Sequence, residues 1–200
     1  MLSLYKKCRL LAAFPLLILS LSCQESPTET TVEELTDPQA VTYSIRKGSH
    51  SVSNNAFKRV STADLRFEAT FDSTAVYTTK DPVNQADINK LYGLSDCSTD
   101  HHTNSARFGW RWYGNRLEIH AYTYHNKVRR AALLGTVALG TPSTYELQLK
   151  DGEYVFILDG KRLALPRACT GKGEGYRLYP YFGGDETAPH DISILIKELL

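Results

Sequence analysis

The segment SARFGWRWYGNRLEIHAYTYH, residues 105–125, decides the fold class of this chain. Its two halves flank the dipeptide Gly114-Asn115, and both residue types tolerate the positive φ angles that a tight hairpin turn requires. In the second half, apolar and polar side chains alternate, which is the period of a strand with one buried face. The segment therefore predicts two antiparallel strands, 105–113 and 117–125, joined by a tight turn.

Each predicted strand carries two chemically different faces. On strand 117–125 we expect the apolar face in the core and the polar face outside; the core set is Leu117, Ile119, Ala121 and Thr123, and the polar set is Glu118, His120, Tyr122 and Tyr124. On strand 105–113 the pattern leaves open which face looks outward; one face carries Arg107, Arg111 and Tyr113, the other Phe108, Trp110 and Trp112. Both faces suit sugar, because aromatic rings cover pyranose faces and guanidinium groups hold carboxylates in bidentate pairs.

The strand pattern continues on both sides of this hairpin. Residues 65–71 and 192–196 alternate in the same way, and Asp151-Gly152 and Asp159-Gly160 supply two more hairpin turns. Residues 87–91 are short and suit either a helix or a strand. Many short strands with tight turns predict an all-β sandwich or barrel, and we favour a two-sheet antiparallel sandwich.

The N-terminal residues 1–22 have the layout of a secretory signal peptide. Lys6, Lys7 and Arg9 precede the apolar run 10–21, which is shorter than the ~20 apolar residues of a spanning helix. The ending Leu21-Ser22-Cys23 resembles the lipobox of bacterial lipoproteins. This resemblance implies acylation, as by palmitate, at Cys23 and a bacterial cell envelope protein anchored in the membrane by lipid; an ordinary secretory signal is the alternative.

The segment after the predicted signal changes character. Residues 23–42 are acidic and contain no lysine or arginine, so they predict a flexible tether behind a lipidated Cys23. Residues 43–200 then form a single β-sandwich domain. The net charge of +1 gives no argument for a nucleic-acid partner.

This organisation predicts a separate role for each of the four cysteines. Cys8 lies in the signal and Cys23 carries lipid, which leaves Cys97 and Cys169. In an oxidising compartment such a pair predicts a disulfide, and it lacks the partner cluster of a zinc site. The polar residues 96–104 beside Cys97 then form a surface loop held by the disulfide at the rim of the binding face.

A broader resemblance rests on the order of several short motifs. Residues 145–147, 152–156, 158–160 and 181–184, followed by a terminal strand, resemble concanavalin A-like jelly-roll domains. That group includes legume-type lectins, laminin-G-like modules, glucanases and polysaccharide lyases. The resemblance implies a jelly-roll fold and an oligo- or polysaccharide ligand.

Three of the segments also resemble motifs of alginate-lyase-type jelly rolls. They are Ser105–Phe108, Glu118–His120 and the tyrosine-rich Tyr176–Tyr181, in the same chain order, with Glu118 where that family has glutamine and without its Lys-Ala-Gly. The resemblance implies β-elimination across uronate-containing glycans. Arg107 would neutralise the uronate carboxylate, while His120 and Tyr179 would act as base and acid.

The sequence therefore leaves the activity open. We expect a carbohydrate-binding envelope protein, with Arg111, Tyr113, Glu118, Tyr122 and Tyr124 contacting the ligand. A polysaccharide lyase and a non-catalytic protein that contacts another envelope protein are the alternatives. No metal or cofactor is expected, although Asp185, Glu186 and Asp191 offer oxygen ligands of the kind that Ca²⁺ takes.

Overall fold

The computed structural model describes residues 38–199, which form two antiparallel sheets. The strands in chain order are β1 (Val41–Ile45), β2 (Arg59–Thr62), β3 (Asp64–Phe71), β4 (Asn89–Ser95), β5 (Ser105–Tyr113), β6 (Arg116–His125), β7 (Val128–Val137), β8 (Ser143–Lys150), β9 (Glu153–Leu158), β10 (Lys161–Pro166), β11 (Gly173–Leu178) and β12 (Ile192–Leu199). The predicted signal peptide, Cys23 and most of the predicted tether lie outside the described residues.

The twelve strands divide equally between two sheets. Sheet I has the order β1-β12-β3-β8-β9-β10, and sheet II has the order β2-β11-β4-β5-β6-β7. Neighbouring strands pair antiparallel throughout both sheets. The prediction of a two-sheet antiparallel sandwich is therefore confirmed, and the last segment is a strand as expected.

The predicted hairpin occupies the middle of sheet II. Gly114 and Asn115 both have a φ of 58°, and the register sets Arg107 opposite Tyr122 and Trp110 opposite Ile119. Positive φ at both turn residues gives a twist that matches the twist of the flanking strands. The local turn chemistry and the strand alternation thus agree on one register.

The core lies between the sheets and is rich in aromatic rings. Phe67 of sheet I stacks on Tyr145 at 4.9 Å between ring centres and meets Phe108 of sheet II edge-on at 5.6 Å. Trp110 is fully buried against Phe71. Each such side chain contributes ~1.5 to 3 kcal/mol by leaving water, so the apolar face of β5 is committed to the core and its arginine face looks outward.

Residues 87–91 do not form the helix that the sequence allowed as an alternative there. A short 3-10 helix lies earlier, at Pro82–Ala86, where the Asp81 carboxylate accepts the Val83 N–H and proline starts the turn. β4 begins at Asn89 and carries a register shift between Lys90 and Tyr92. A second 3-10 helix spans Ser73–Ala75. Across residues 38–199, no helix has the length and apolar character needed to cross a bilayer.

The predicted disulfide is present between Cys97 and Cys169, whose Cα atoms are 5.7 Å apart. Beside it lies a fully buried ion pair in which Arg167 Nε donates to Asp96 Oδ2 at 2.7 Å. Tyr154 Oη donates to the same carboxylate oxygen at 2.9 Å. Together they fix the loop 96–104 against the chain that follows β10.

Candidate functional site

The outward face of sheet II carries a cluster of cations and tyrosines. Lys90 on β4, Arg107 on β5, Tyr122 on β6, Arg129 on β7 and Tyr181, which follows β11, form what we term the basic groove. Strand alternation brings these residues to one face, because Lys90 pairs with Gly109, Arg107 with Tyr122 and Arg129 with Tyr124. A cavity of about 300 Å³ lies over Lys90, Tyr122 and Arg129.

Arg107 lies beside this cavity, not in its lining, and contacts the Tyr122 ring that lines it. Its side chain is nearly buried, with 7% of the residue exposed, and its Nε has no hydrogen-bond partner among the described residues. The guanidinium carbon lies 5.6 Å from the centre of the Tyr122 ring. Burial lowers the pKa of Arg107 below its ordinary value, yet guanidinium keeps its proton in proteins. A charged, incompletely satisfied donor therefore sits in this face.

Lys90 is a second cation close to Arg107. Its Nζ donates to the carbonyl oxygen of Gly183 at 2.8 Å and lies 5.2 Å from the centre of the Tyr122 ring. Burial, followed by the charge of Arg107, lowers the pKa of Lys90 to about 8. This lysine is therefore mostly protonated at neutral pH, and a nearby anion would raise its pKa and favour the protonated form further.

The cations of the basic groove are not neutralised by the protein. Among the ion pairs of residues 38–199, none involves Lys90, Arg107 or Arg129. Asp87 lines the cavity, and its charge acts on Lys90 without forming an ion pair. The groove therefore holds excess positive charge in a partly desolvated place, where an anion is attracted most strongly.

Glu118 and His120 lie on the same face but are engaged within the protein. The Glu118 carboxylate accepts Arg111 Nε at 2.8 Å and Arg116 Nη2 at 2.9 Å, and His120 Nε2 lies 3.3 Å from its Oε2. Burial alone would raise the pKa of Glu118, but these bonds outweigh it and lower the pKa. Burial lowers the pKa of His120. Arg111 Nη1 also donates to Ala86 O, so the chain at Ala86 crosses this end of the face.

The predicted catalytic set is brought together only in part. Tyr179 packs on the core side, with ring centres 5.7 Å from Tyr43 and 5.9 Å from Tyr92, and its Oη donates to Ala56 O. Arg107 and His120 are diagonal neighbours on the outward face, because Gly109, two positions from Arg107, pairs with His120; both side chains are nearly buried. Tyr179 follows Arg177 by two positions and packs against the same core ring, Tyr92, so the strand alternation places it on the face opposite to Tyr176.

The predicted ligand-contacting residues separate into two groups. Tyr122 lines the basic groove, and Tyr124 contacts it at a ring distance of 6.1 Å. Arg111 and Glu118 form the internal ion pair instead. Tyr113 is 43% exposed at the end of β5 and stacks on the Arg111 guanidinium at 4.6 Å.

Three groove residues were not found from the sequence. Lys90 lies in the ambiguous segment 87–91, where the β-bulge hides the period of two. Arg129 follows the turn at Asn126 and Lys127, whose positive φ angles mark a hairpin that is absent from the predicted turns. Tyr181 belongs to the tyrosine-rich motif, but nothing in the residue pattern distinguishes it from Tyr179.

The loop 96–104 forms one rim of this face, as expected. His101 Nδ1 lies 2.8 Å from Tyr176 Oη, and the His102 ring packs edge-on against Tyr124 at 5.3 Å. Burial, followed by the charge of Arg107, lowers the pKa of His101. The disulfide therefore positions two histidines beside Tyr176 and Tyr124 on this face.

The residues considered for calcium lie elsewhere, and the carboxylates of Glu186 and Asp191 have protein partners. Glu186 accepts the backbone N–H groups of Lys80 and Asp81. Asp191 pairs with Arg46 at 2.7 Å. Asp185 donates its backbone N–H to Asp87.

Comparison with known proteins identifies the architecture. No family model matches the chain, and no curated protein matches it. Among solved structures, an alginate lyase shares 10% identity over 80% of this chain and 75% of its own, with a TM-score of 0.52. The catalytic domain of an endo-1,3-beta-glucanase (laminarinase) from Thermotoga petrophila shares 9% identity over 80% and 75%, with a TM-score of 0.51.

A third similar structure is LamAcat from Zobellia galactanivorans, with 9% identity, coverage of 80% and 77%, and a TM-score of 0.51. The fold is a jelly roll. The predicted concanavalin A-like sandwich is therefore confirmed. At identities of 9 to 10% the jelly-roll likeness shows the fold alone, so the function rests on the residues of the basic groove.

Proposed function

We propose that this protein binds an anionic polysaccharide, one that contains uronate residues, in the basic groove. The observation that carries the proposal is Arg107, a nearly buried guanidinium with an unpartnered Nε and no carboxylate partner within residues 38–199. Taking a charge out of water without compensation is costly. A ligand carboxylate would supply the missing partner through charge-assisted hydrogen bonds.

The surroundings of Arg107 suit a sugar acid better than a small inorganic anion. The Tyr122 and Tyr181 rings flank the Lys90 ammonium at 5.2 and 5.9 Å. Tyr181 is 38% exposed and can pack against the apolar face of a pyranose, while Lys90 and Arg129 add long-range attraction for a polyanion.

Binding is favoured over β-elimination. The lyase alternative needs His120 and Tyr179 at the uronate ring beside Arg107. His120 instead contacts Glu118, and Tyr179 lies among core aromatic rings. Contact with an envelope protein is the remaining alternative, and it has no observation of its own in favour of it.

The cellular location belongs to the same proposal. The lipobox-like ending at Cys23 supports a lipid anchor in the bacterial envelope, which would hold the groove near polysaccharides at the cell boundary. Metabolic labelling with a palmitate analogue tests this step. Label that disappears in Cys23→Ala supports the anchor, whereas equal labelling of both forms overturns it.

Calorimetry with the full chain in detergent tests the ligand class. We expect binding to polygalacturonate and alginate but not to laminarin, a neutral glucan. Arg107→Gln should weaken binding at least tenfold, and Arg162→Gln, an exposed arginine of sheet I, should leave it unchanged. Equal affinity of the Arg107→Gln variant and the native chain would overturn the proposal. Ultraviolet absorbance from unsaturated sugar ends, followed in the same samples, would reveal a lyase.

A further inference from the structure

A second cavity lies at the opposite edge of sheet II from Arg129. It has a volume of about 670 Å³ and is formed by β2, β11 and the loop 96–104. We term it the aromatic cavity, because Phe57 and Tyr176 form its apolar wall with ring centres 5.7 Å apart. Phe57 is 72% exposed. An aromatic ring left in water beside a concave surface is typical of a ligand-binding wall.

The charge of the aromatic cavity is the reverse of that of the basic groove. Its charged lining residues are Asp100 and Glu174, with Arg59 as the single basic group among the described lining residues. The His102 N–H donates to Asp100 and holds the pKa of that carboxyl below its ordinary value, so the carboxylate is ionised at neutral pH. A uronate placed here would meet two carboxylates, whereas a neutral ring would not be repelled.

Both carboxylates keep capacity for a ligand. Glu174 Oε1 accepts the Ser61 hydroxyl, and Asp100 Oδ1 accepts the His102 N–H. A carboxylate has about four lone-pair positions, so each can accept further hydrogen bonds. Sugar hydroxyls are suitable donors, and the rings of Phe57 and Tyr176 can cover the apolar face of the same sugar.

The aromatic cavity and the basic groove lie on one face of sheet II. Tyr176 links them, because it lines the cavity and its Oη contacts His101, a residue whose pKa is lowered in part by the nearby charge of Arg107. The strand order places Arg107 on β5 two strands from β11 and three strands from β2. With strands about 4.8 Å apart, these separations are roughly 10 and 14 Å, which span about two to three sugar rings.

We propose that the aromatic cavity binds an uncharged sugar ring of the same chain whose uronate is held by Arg107. The preferred ligand is then a heteropolysaccharide that combines uronate and neutral residues, rather than a pure polyuronate. This inference rests on the proposed function and specifies its substrate class. Phe57 and Tyr176 stack on the neutral ring, and Asp100 and Glu174 accept its hydroxyl groups.

Calorimetry on the full chain in detergent, with oligosaccharides of equal length, tests this inference. The probes are a hyaluronan oligosaccharide, in which glucuronate alternates with N-acetylglucosamine, and an oligogalacturonate. We expect the alternating probe to bind about tenfold more tightly. Phe57→Ala should weaken only the alternating probe, by about tenfold, as expected for the loss of one stacking ring. Leu195→Ala, an exposed apolar residue of sheet I, is the matched control and should change neither affinity.

The outcomes separate this inference from the proposed function. Equal affinities for the two probes, with no effect of Phe57→Ala, would overturn the inference, while a loss on Arg107→Gln would still support the basic groove. An equal loss with both probes in Phe57→Ala would also overturn the division into neutral and uronate positions. Absence of binding to either probe would overturn both proposals.

Discussion

Arg107 on β5 and Tyr122 on β6 are direct partners across the central hairpin, with the guanidinium carbon 5.6 Å from the centre of the phenol ring. A ring at this position stabilises the cation by ~0.5 to 2 kcal/mol without neutralising it. A carboxylate at the same position would have formed an ion pair and consumed the charge. The pairing with tyrosine therefore keeps Arg107 available to an external anion.

Replacement of Arg107 separates stability from binding. We expect Arg107→Leu to leave the free energy of unfolding unchanged or to raise it by about 1 kcal/mol, because an uncompensated buried charge is removed. Polyuronate binding should be lost in the same variant. Urea denaturation and calorimetry measure the two effects. A loss of stability above about 2 kcal/mol would mean that the guanidinium stabilises the fold.

The pH dependence of binding should follow Lys90. The pKa of Lys90 is about 8, and only its protonated form attracts an anion. Affinity is therefore fully present below about pH 8 and falls as the pH rises through that value, with bound ligand shifting the fall upward. Burial raises the pKa of Tyr122 and lowers that of His101, so neither accounts for a change near pH 8. Lys90→Arg keeps its charge and should abolish the fall; an unchanged profile in that variant would contradict the assignment.

The buried carboxylate of Glu118 is expected to be structural. Glu118→Gln leaves Arg111 and Arg116 without their anion, and we expect a loss of about 3 kcal/mol, the lower end of the cost of breaking a buried pair, because Arg116 is 58% exposed. Thermal and urea denaturation measure it. Glu153→Gln, an exposed carboxylate on β9, serves as the control. Equal stability of the two variants would show that Glu118 is not needed for folding.

The ion pair beside the disulfide gives a sharper contrast between two neighbouring aspartates. Asp96→Asn leaves the fully buried Arg167 without its charge partner and should cost about 3 to 5 kcal/mol. Asp100→Asn alters a carboxylate that is 60% exposed and should change stability by about 0.5 kcal/mol or less. Denaturation under non-reducing conditions compares them. Similar losses in both variants would contradict the importance of the buried pair.

A glycine on β4 is required by close backbone contact. A Cβ at Gly93 would overlap the carbonyl oxygen of Ala106 on the neighbouring strand, so Gly93→Ala should cost about 3 kcal/mol or more. Gly140→Ala meets no atom within 4 Å and carries only the penalty of its positive φ, about 1 kcal/mol. Circular dichroism melting ranks the two. A smaller loss for Gly93→Ala than for Gly140→Ala would refute the steric argument.

Much of the fold could be predicted because its signals are local. The alternation of apolar and polar residues on β6 fixes its buried face, and Gly114-Asn115 fixes the register of β5 against it. The disulfide was predicted from the count of cysteines that remain after the predicted signal peptide and Cys23 are set aside. In each case the information lies within a few residues or in the total composition.

The groove could be predicted only in part because it depends on irregular and distant features. Arg107 and Tyr122 were found because they lie on regular strands. Lys90 was missed because a bulge interrupts its strand, and Tyr181 was missed because it reaches the outward face only after the alternation of β11 has ended. Glu118 and Arg116 form an ion pair because they lie two positions apart on one strand face. The sequence pattern alone is equally compatible with both side chains being exposed to solvent.

The disulfide has a consequence for damage to the chain. Cys97 and Cys169 are 72 positions apart and enclose β5 to β10, which are half of each sheet. A protease that cuts the exposed turn at Asn126 and Lys127 would produce two fragments still joined through sulfur. Arg107 and Arg129 lie on opposite sides of that cut. Their covalent separation therefore requires both a nick and a reductant, and neither event alone divides the groove.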